Sequence, residues 1–149
     1  MSDAISLAAG QTMTSSPIKF SAEEIIIFAK QFDPQPYHLD ASAAEKSIFG
    51  GLCASGWQVA ALTSRLVNEV LKQACVPVID VDRVANMRWQ RPLLVDESIH
   101  VVVTIESVNN HRTEPNYRSL ALNVSVNNAR QQRVAEMQCD VAIDKELAS

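Results

Sequence analysis

The stretch Cys53-Ala54-Ser55-Gly56-Trp57-Gln58-Val59-Ala60-Ala61-Leu62-Thr63-Ser64-Arg65-Leu66-Val67-Asn68-Glu69-Val70-Leu71-Lys72 runs without a proline and is apolar on nearly all sides until its last two turns. Such a pattern predicts a helix from about Cys53 to Lys72 that lies inside the protein rather than on it. Within it Gly56, Ala60 and Ser64 recur every fourth residue. At 1.5 Å per residue they form a row of small side chains spanning roughly 12 Å, along which a slim ligand fits.

Toward the N-terminus, Ser21 followed three residues later by Glu24 forms a capping box, and Phe20 is placed to staple onto Ile25. A helix should start there, with Ile25, Ile26, Phe28 and Phe32 as its buried face. Pro34 and Pro36 disfavour helical angles at Asp33 and Gln35, so the helix should stop near Asp33 and pass into a stiff, extended segment. Asp40 can cap a short helix through Glu45, and Phe49-Gly50-Gly51 reads as a turn. Residues 1–15 are small and polar, a leader or a weak first strand continuing to Phe20.

Toward the C-terminus the period changes to two after Pro77. Met87, Trp89 and Arg91 alternate with Arg88 and Gln90; Ile99, Val101, Val103 and Ile105 alternate with His100, Thr104 and Glu106. Leu120, Leu122, Val124 and Val126 line a further strand face. Ala135, Met137, Cys139, Val141 and Ile143 line another, joined to it through Asn127-Asn128. Helices first and successive strands after argue an α+β domain over residues 1–149, one antiparallel sheet wrapped around the long helix. Its open edges would be covered by pairing in a homodimer.

With 149 residues, a formal net charge of -4 and 13 Lys and Arg scattered without a basic run, nucleic acid is not an expected partner. No window approaches the ~20 apolar residues that cross a bilayer, and the start lacks the pattern of an export signal. A cytoplasmic protein without membrane contact is expected. Cys53, Cys75 and Cys139 are odd in number and lack metal-type spacing, so neither disulfides nor a metal site is expected. Cys53 reads best as a small buried hydrophobe.

Chemistry points to Asp33 and His38. A carboxylate and an imidazole on a Pro-rigidified segment suit hydration, the one holding and deprotonating water and the other relaying a proton. The unpaired amides at the start of the long helix favour negative charge near Gly56, where no side chain obstructs a ligand; that is what an oxyanion hole requires. Close packing of helix on sheet explains Gly56 equally well. Ser64 is also readable as a helix serine bonded to its own backbone. His100 reads as a strand-surface or interface residue, His111 as a solvated loop histidine, and Trp57 and Trp89 as core or interface anchors. Arg65, Arg88 and Arg91 are candidates for meeting phosphates.

The run F-D-P-Q-P-Y-H-L-D (Phe32–Asp40), then Ala43-Ala44, F-G-G-L (Phe49–Leu52), A-S-G-W (Ala54–Trp57) and D-x-x-R-x-x-x-R-W-x-x-P (Asp80–Pro92) resembles the MaoC-like dehydratases. These are hot-dog-fold proteins related to (R)-specific enoyl-CoA hydratases. The resemblance covers most of the chain and is specific over residues 32–57. It implies a hot-dog fold and a lyase of fatty acid metabolism that interconverts trans-2-enoyl and (R)-3-hydroxyacyl thioesters. Asp33 and His38 would be catalytic, Gly56 the oxyanion glycine and Ser64 an active-site serine on the helix. The partner would be an acyl-CoA or acyl-carrier-protein thioester; no cofactor is implied beyond coenzyme A as part of the substrate. Two positions depart from the pattern: Gln35 stands for an Asn and Ser55 for a His, and both, with Ser64, are candidate substrate contacts. Asp33 is read as base and His38 as proton donor, with the reverse assignment open. A hot-dog thioesterase and a non-catalytic acyl-ligand binding or assembly subunit are the alternatives.

Overall fold

The computed structural model describes residues 7–146. The expected leader therefore lies partly outside the described residues. From Thr12 on the order is β1 (Thr12–Thr14), β2 (Ile18–Lys19), α1 (Ala22–Phe32), α2 (Pro36–Leu39), α3 (Ala41–Glu45), α4 (Gly56–Gln73), β3 (Val78–Trp89), β4 (Ser98–Asn110), β5 (Tyr117–Asn128) and β6 (Arg133–Asp144). All strands join one antiparallel sheet in the order β1-β4-β5-β6-β3, with β2 also paired to β4. Strands β4, β5 and β6 follow one another as hairpins, whereas β3 pairs with β6 and leaves its other edge open among the described residues.

The period-two reading of the strands is seen in their burial. Ile99, Val101, Val103 and Ile105 of β4 and Leu120, Leu122, Val124 and Val126 of β5 are almost fully buried. They share a core with Leu62, Leu66, Val67, Val70 and Leu71 of α4, so the helix lies against the sheet as a hot-dog arrangement demands. Each such aliphatic side chain contributes roughly 1.5–3 kcal/mol by burial. The exposed Arg65–Glu69 pair on the same helix contributes about 0.3–0.5 kcal/mol, so packing and not surface charge seats α4.

Helix α1 begins as expected, with Ser21 accepting from the Glu24 N–H and Glu24 accepting from the Ser21 N–H. Its buried residues are Ile25 and Ala29, while Phe32 is 67% exposed. Phe32 is therefore not on the buried face: it stacks on Phe28 at the helix end. Asp40 caps α3 through the amides of Ser42 and Ala43, and Gly50 adopts φ +70 in the expected turn. The β5–β6 turn falls just beyond Asn127-Asn128. Asn128 organises it by accepting from the amides of Arg130 and Gln132.

Two expectations are corrected. The extended segment after Asp33 lasts only through Gln35, because Pro36 opens the one-turn helix α2. Proline suits a first helical position, where its missing N–H has no helical partner in any case. Helix α4 begins at Gly56 rather than near Cys53, and it is not covered all round. Trp57 is 63% exposed and Ala61, Ser64, Arg65, Asn68 and Glu69 face outward. Its end follows Schellman geometry: Cys75 at φ +60 donates to the Lys72 carbonyl and Val76 to that of Leu71. Among the described residues no helix is long and apolar enough to cross a membrane.

Candidate active site

Three elements meet at Asp33 and His38. Asp33 ends α1, where its N–H is held by the Ala29 carbonyl at 2.9 Å. Helix α2 then turns His38 back toward it, through bonds from the His38 N–H to Gln35 and from the Asp40 N–H to Pro36. The start of α4 is brought over both by short ladders, Ala54 N–H to Leu93 O and Val95 N–H to Leu52 O, that tie residues 52–54 to the segment before β4. Local sequence builds each piece. The long-range ladder brings them together.

The imidazole of His38 is buried. Its Nδ1 lies 2.7 Å from the Cys53 carbonyl oxygen, which can only accept, so Nδ1 carries a proton. That leaves Nε2 facing Asp33 Oδ2 at 3.5 Å. Charge-assisted hydrogen bonds run about 2.7–2.9 Å, so the two groups face one another without closing. The carboxylate is instead oriented by Ser55, whose Oγ donates to Asp33 Oδ2 at 2.7 Å and accepts from the Trp57 N–H at 3.2 Å. One buried hydroxyl thus caps α4 and orients the carboxylate. Read from sequence as a departure and a possible substrate contact, Ser55 is bonded to the acid itself.

Gly56 is the first residue of α4, and its N–H has no acceptor among the described residues. Its carbonyl accepts from Trp89 Nε1 at 2.7 Å, and a Cβ on Gly56 would stand 3.0–3.3 Å from the Trp89 ring. The close-packing reading of this glycine is seen in the ring set against it, and its amide is free among the described residues. His38, Gly56, Val59, Trp89, Arg91 and Pro92 line one cavity of about 290 Å3.

Ser64 and Gln35 are not brought to the acid/base pair. Ser64 lines a second cavity of about 310 Å3 with Trp57, Ala60, Val67, Val84 and Met137, almost wholly apolar. Its hydroxyl makes no hydrogen bond among the described residues, and the back-bond expected of a helix serine is made by Thr63 instead, to Val59 O at 2.7 Å. Gln35 is exposed and its amide makes no hydrogen bond among the described residues. The small-residue row is thus split between two cavities.

Other candidates resolve by their partners. His111 is not a solvated loop residue: Nδ1 accepts from the amides of Thr113 and Glu114, and Nε2 lies 2.9 Å from Asp82. Both its nitrogens are used, so this second Asp/His pair fastens the β4–β5 hairpin to β3. Arg65 is engaged with Glu69, whereas Arg91 lines the His38 cavity without an ion-pair partner among the described residues. No three His, Cys, Asp or Glu side chains among the described residues are grouped to hold a metal.

Cys53 Sγ lies 3.7 Å from His38 Nδ1, a spacing that invites comparison with a thiol nucleophile. Burial pushes its pKa up to about 11, and burial followed by the Asp140 charge does the same for Cys139. Both stay protonated at neutral pH, and the thiolate is the reactive form. At pH 8, iodoacetamide should modify exposed Cys75 in the native protein and reach Cys53 and Cys139 only after unfolding, as counted by intact mass. Rapid native labelling of Cys53 would overturn its assignment as packing.

Residues 6–127 match the family model described as MaoC like domain. Among solved structures, a MaoC-like dehydratase from Rhodospirillum rubrum is similar at 31% identity and a TM-score of 0.80, covering 93% of each chain. An (R)-hydratase from A. caviae involved in PHA biosynthesis shares the fold at 20% identity and a TM-score of 0.69, over 91% of this chain and 96% of that one. Among curated proteins, the uncharacterized protein YdeM of Bacillus subtilis (strain 168) is 28% identical over 136 residues, 91% of this chain and 94% of its own length.

Proposed function

The chain belongs to the MaoC-like domain family, and from that premise we propose that it adds water to a trans-2-enoyl thioester, or removes it from an (R)-3-hydroxyacyl thioester, at Asp33 and His38. The observation that carries this reading is the facing of the Asp33 carboxylate and His38 Nε2 at 3.5 Å, beside the free amide that starts α4. Atoms 3.5 Å apart can share one water oxygen at hydrogen-bond distance from each.

The thioester carbonyl accepts from the Gly56 N–H, at the positive end of the helix, so enolate charge is stabilised where it develops. Asp33, an acceptor already oriented by Ser55, takes a proton from water as its oxygen bonds to C3. His38, as the imidazolium with its Nδ1–H held by the Cys53 carbonyl, gives its Nε2 proton to C2. The proton on Asp33 then returns to Nε2 and restores the pair. Asp33 is thus base and His38 acid: the carboxylate has no proton to give at the outset, and the imidazolium has one at Nε2 beyond the one committed to Cys53. Arg91 in the lining of the cavity suits the phosphates of a coenzyme A or phosphopantetheine arm.

A spectrophotometric screen of enoyl-CoA substrates of increasing length tests the reading. Loss of enoyl-thioester absorbance with formation of the (R)-3-hydroxy product supports it. Binding without turnover at every length would instead mark an acyl-ligand binding subunit. A thioesterase is disfavoured by α4: its one carboxylate, Glu69, is exposed and paired with Arg65.

The open edge of β3 carries exposed Ile79 and Val81, an apolar edge that invites pairing with another copy. We read the protein as a homodimer joined there. Light scattering should give twice the 16.4 kDa chain mass. Ile79→Lys should shift the mass toward one chain, and a monomeric wild type would end this reading.

A further inference from the structure

The two cavities beside α4 meet at one pair of rings. Trp89 faces the His38 cavity and Trp57 the apolar one; the rings stand edge to face, 5.3 Å apart at 75°. Trp89 is tethered, its Nε1–H donating to the Gly56 carbonyl and its ring filling the space that a Cβ on Gly56 would need. The Trp57 ring, one residue on, packs against it. A thioester held at the Gly56 amide starts on the Trp89 side. To lie along Ala60 and Ser64 and reach the apolar walls of Val67, Val84 and Met137, its acyl chain must pass the contact between the two rings.

We infer that the Trp57–Trp89 pair is a partition that confines the acyl group to the His38 cavity and makes the site selective for short-chain acyl thioesters. This rests on the reaction proposed for the Asp33–His38 pair. The pair is the specificity determinant because the cavity behind it is ready to receive a chain: its lining is apolar and of about the same volume as the catalytic cavity. Each methylene admitted there would strengthen binding about fourfold by the usual hydrophobic increment. With the rings in contact, that gain is withheld from long chains.

The chain has two tryptophans, and both belong to the pair. Intrinsic fluorescence therefore reports binding without relying on turnover. Titration with the unreactive saturated ligands butyryl-CoA and decanoyl-CoA should give dissociation constants within about fourfold of each other in the wild type. In Trp57→Ala, where Trp89 remains as reporter, decanoyl-CoA should gain on butyryl-CoA by about tenfold or more. Trp57 is 63% exposed, so its truncation leaves the core untouched. Trp57→Val, with a smaller opening, should give an intermediate ratio.

A wild type that already favours decanoyl-CoA by more than about tenfold would overturn the partition, as would an unchanged ratio in Trp57→Ala. Failure of the underlying reaction looks different. If acyl-CoAs bind in the expected ratio but no enoyl-CoA is hydrated, the hydration reading falls and the partition stands as a binding determinant. If no acyl-CoA of either length binds, both fall.

Discussion

Asp33→Asn should lower kcat/KM for enoyl-CoA hydration by about 10^2 to 10^4, the range for removal of a positioned acid or base, with the fold unchanged. The fold should survive because the amide oxygen still accepts the Ser55 hydroxyl that now donates to Oδ2 at 2.7 Å, while the charge that takes the water proton is gone. Asp33→Ala is the poorer probe, since it strands a fully buried hydroxyl. For His38 the matching probe is Asn, whose amide N–H can replace Nδ1–H on the Cys53 carbonyl and leaves nothing at Nε2. The double variant should be little worse than either single one, because the two groups act as one proton relay. Circular dichroism and the unfolding midpoint check the fold. Turnover within about tenfold of wild type in Asp33→Asn would remove Asp33 from the mechanism.

The second large effect is expected at Ser55. Ser55→Ala removes both the cap of α4 and the bond that orients Asp33. The cap is worth about 1 kcal/mol and a buried hydrogen bond to a charged group about 1.5–3 kcal/mol. At this size the combined loss should lower the unfolding midpoint by several degrees, about 2–4 °C per kcal/mol. With the carboxylate free to rotate, kcat should fall by about 10- to 100-fold, with little change in KM because Ser55 is not expected to touch substrate. Ser55→Gly separates the two roles. Glycine serves nearly as well as serine at a helix N-cap, so only the cap's share of stability, about 1 kcal/mol, should recover while activity stays low. Full activity in Ser55→Ala would show that Asp33 needs no such orientation.

These expectations draw on different ranges of the chain. Asp33 and His38 were legible because the rules that place them are local: Pro34 and Pro36 constrain backbone angles within a residue or two, and a lone acid/base pair on such a segment is recognisable. Gly56 was legible as lying near the free amides of a helix start, although the pattern places that start three residues too early. Ser55 was undervalued because in sequence it is a departure from the family pattern and a candidate substrate contact, and nothing local says that its proton goes to a residue twenty-two positions earlier. Gln35, singled out because it stands where the family pattern has an Asn, turns outward, because Pro36 makes it the N-cap of α2. Spacing set Ser64 on the Gly56 face of α4 correctly, yet a ring from β3 stands between that serine and the acid/base cavity.

Sequence by itself determined the elements and their inner faces: the capping box at Ser21, the long helix, the period-two strands after Pro77, and the family to which the chain belongs. Each depends on interactions within a few residues, or on a pattern carried whole by the chain. The tertiary structure alone decided which side of α4 is covered and how far His38 stands from Asp33. It also decided that the helix start is held over the pair by residues 93–95, and that Trp89 closes on Gly56. Those are contacts between residues far apart in sequence, set by sheet register and side-chain volume, and no local propensity encodes them. The helix from which the fold was read is thus amphipathic in this chain, with its small-residue face divided by two tryptophans.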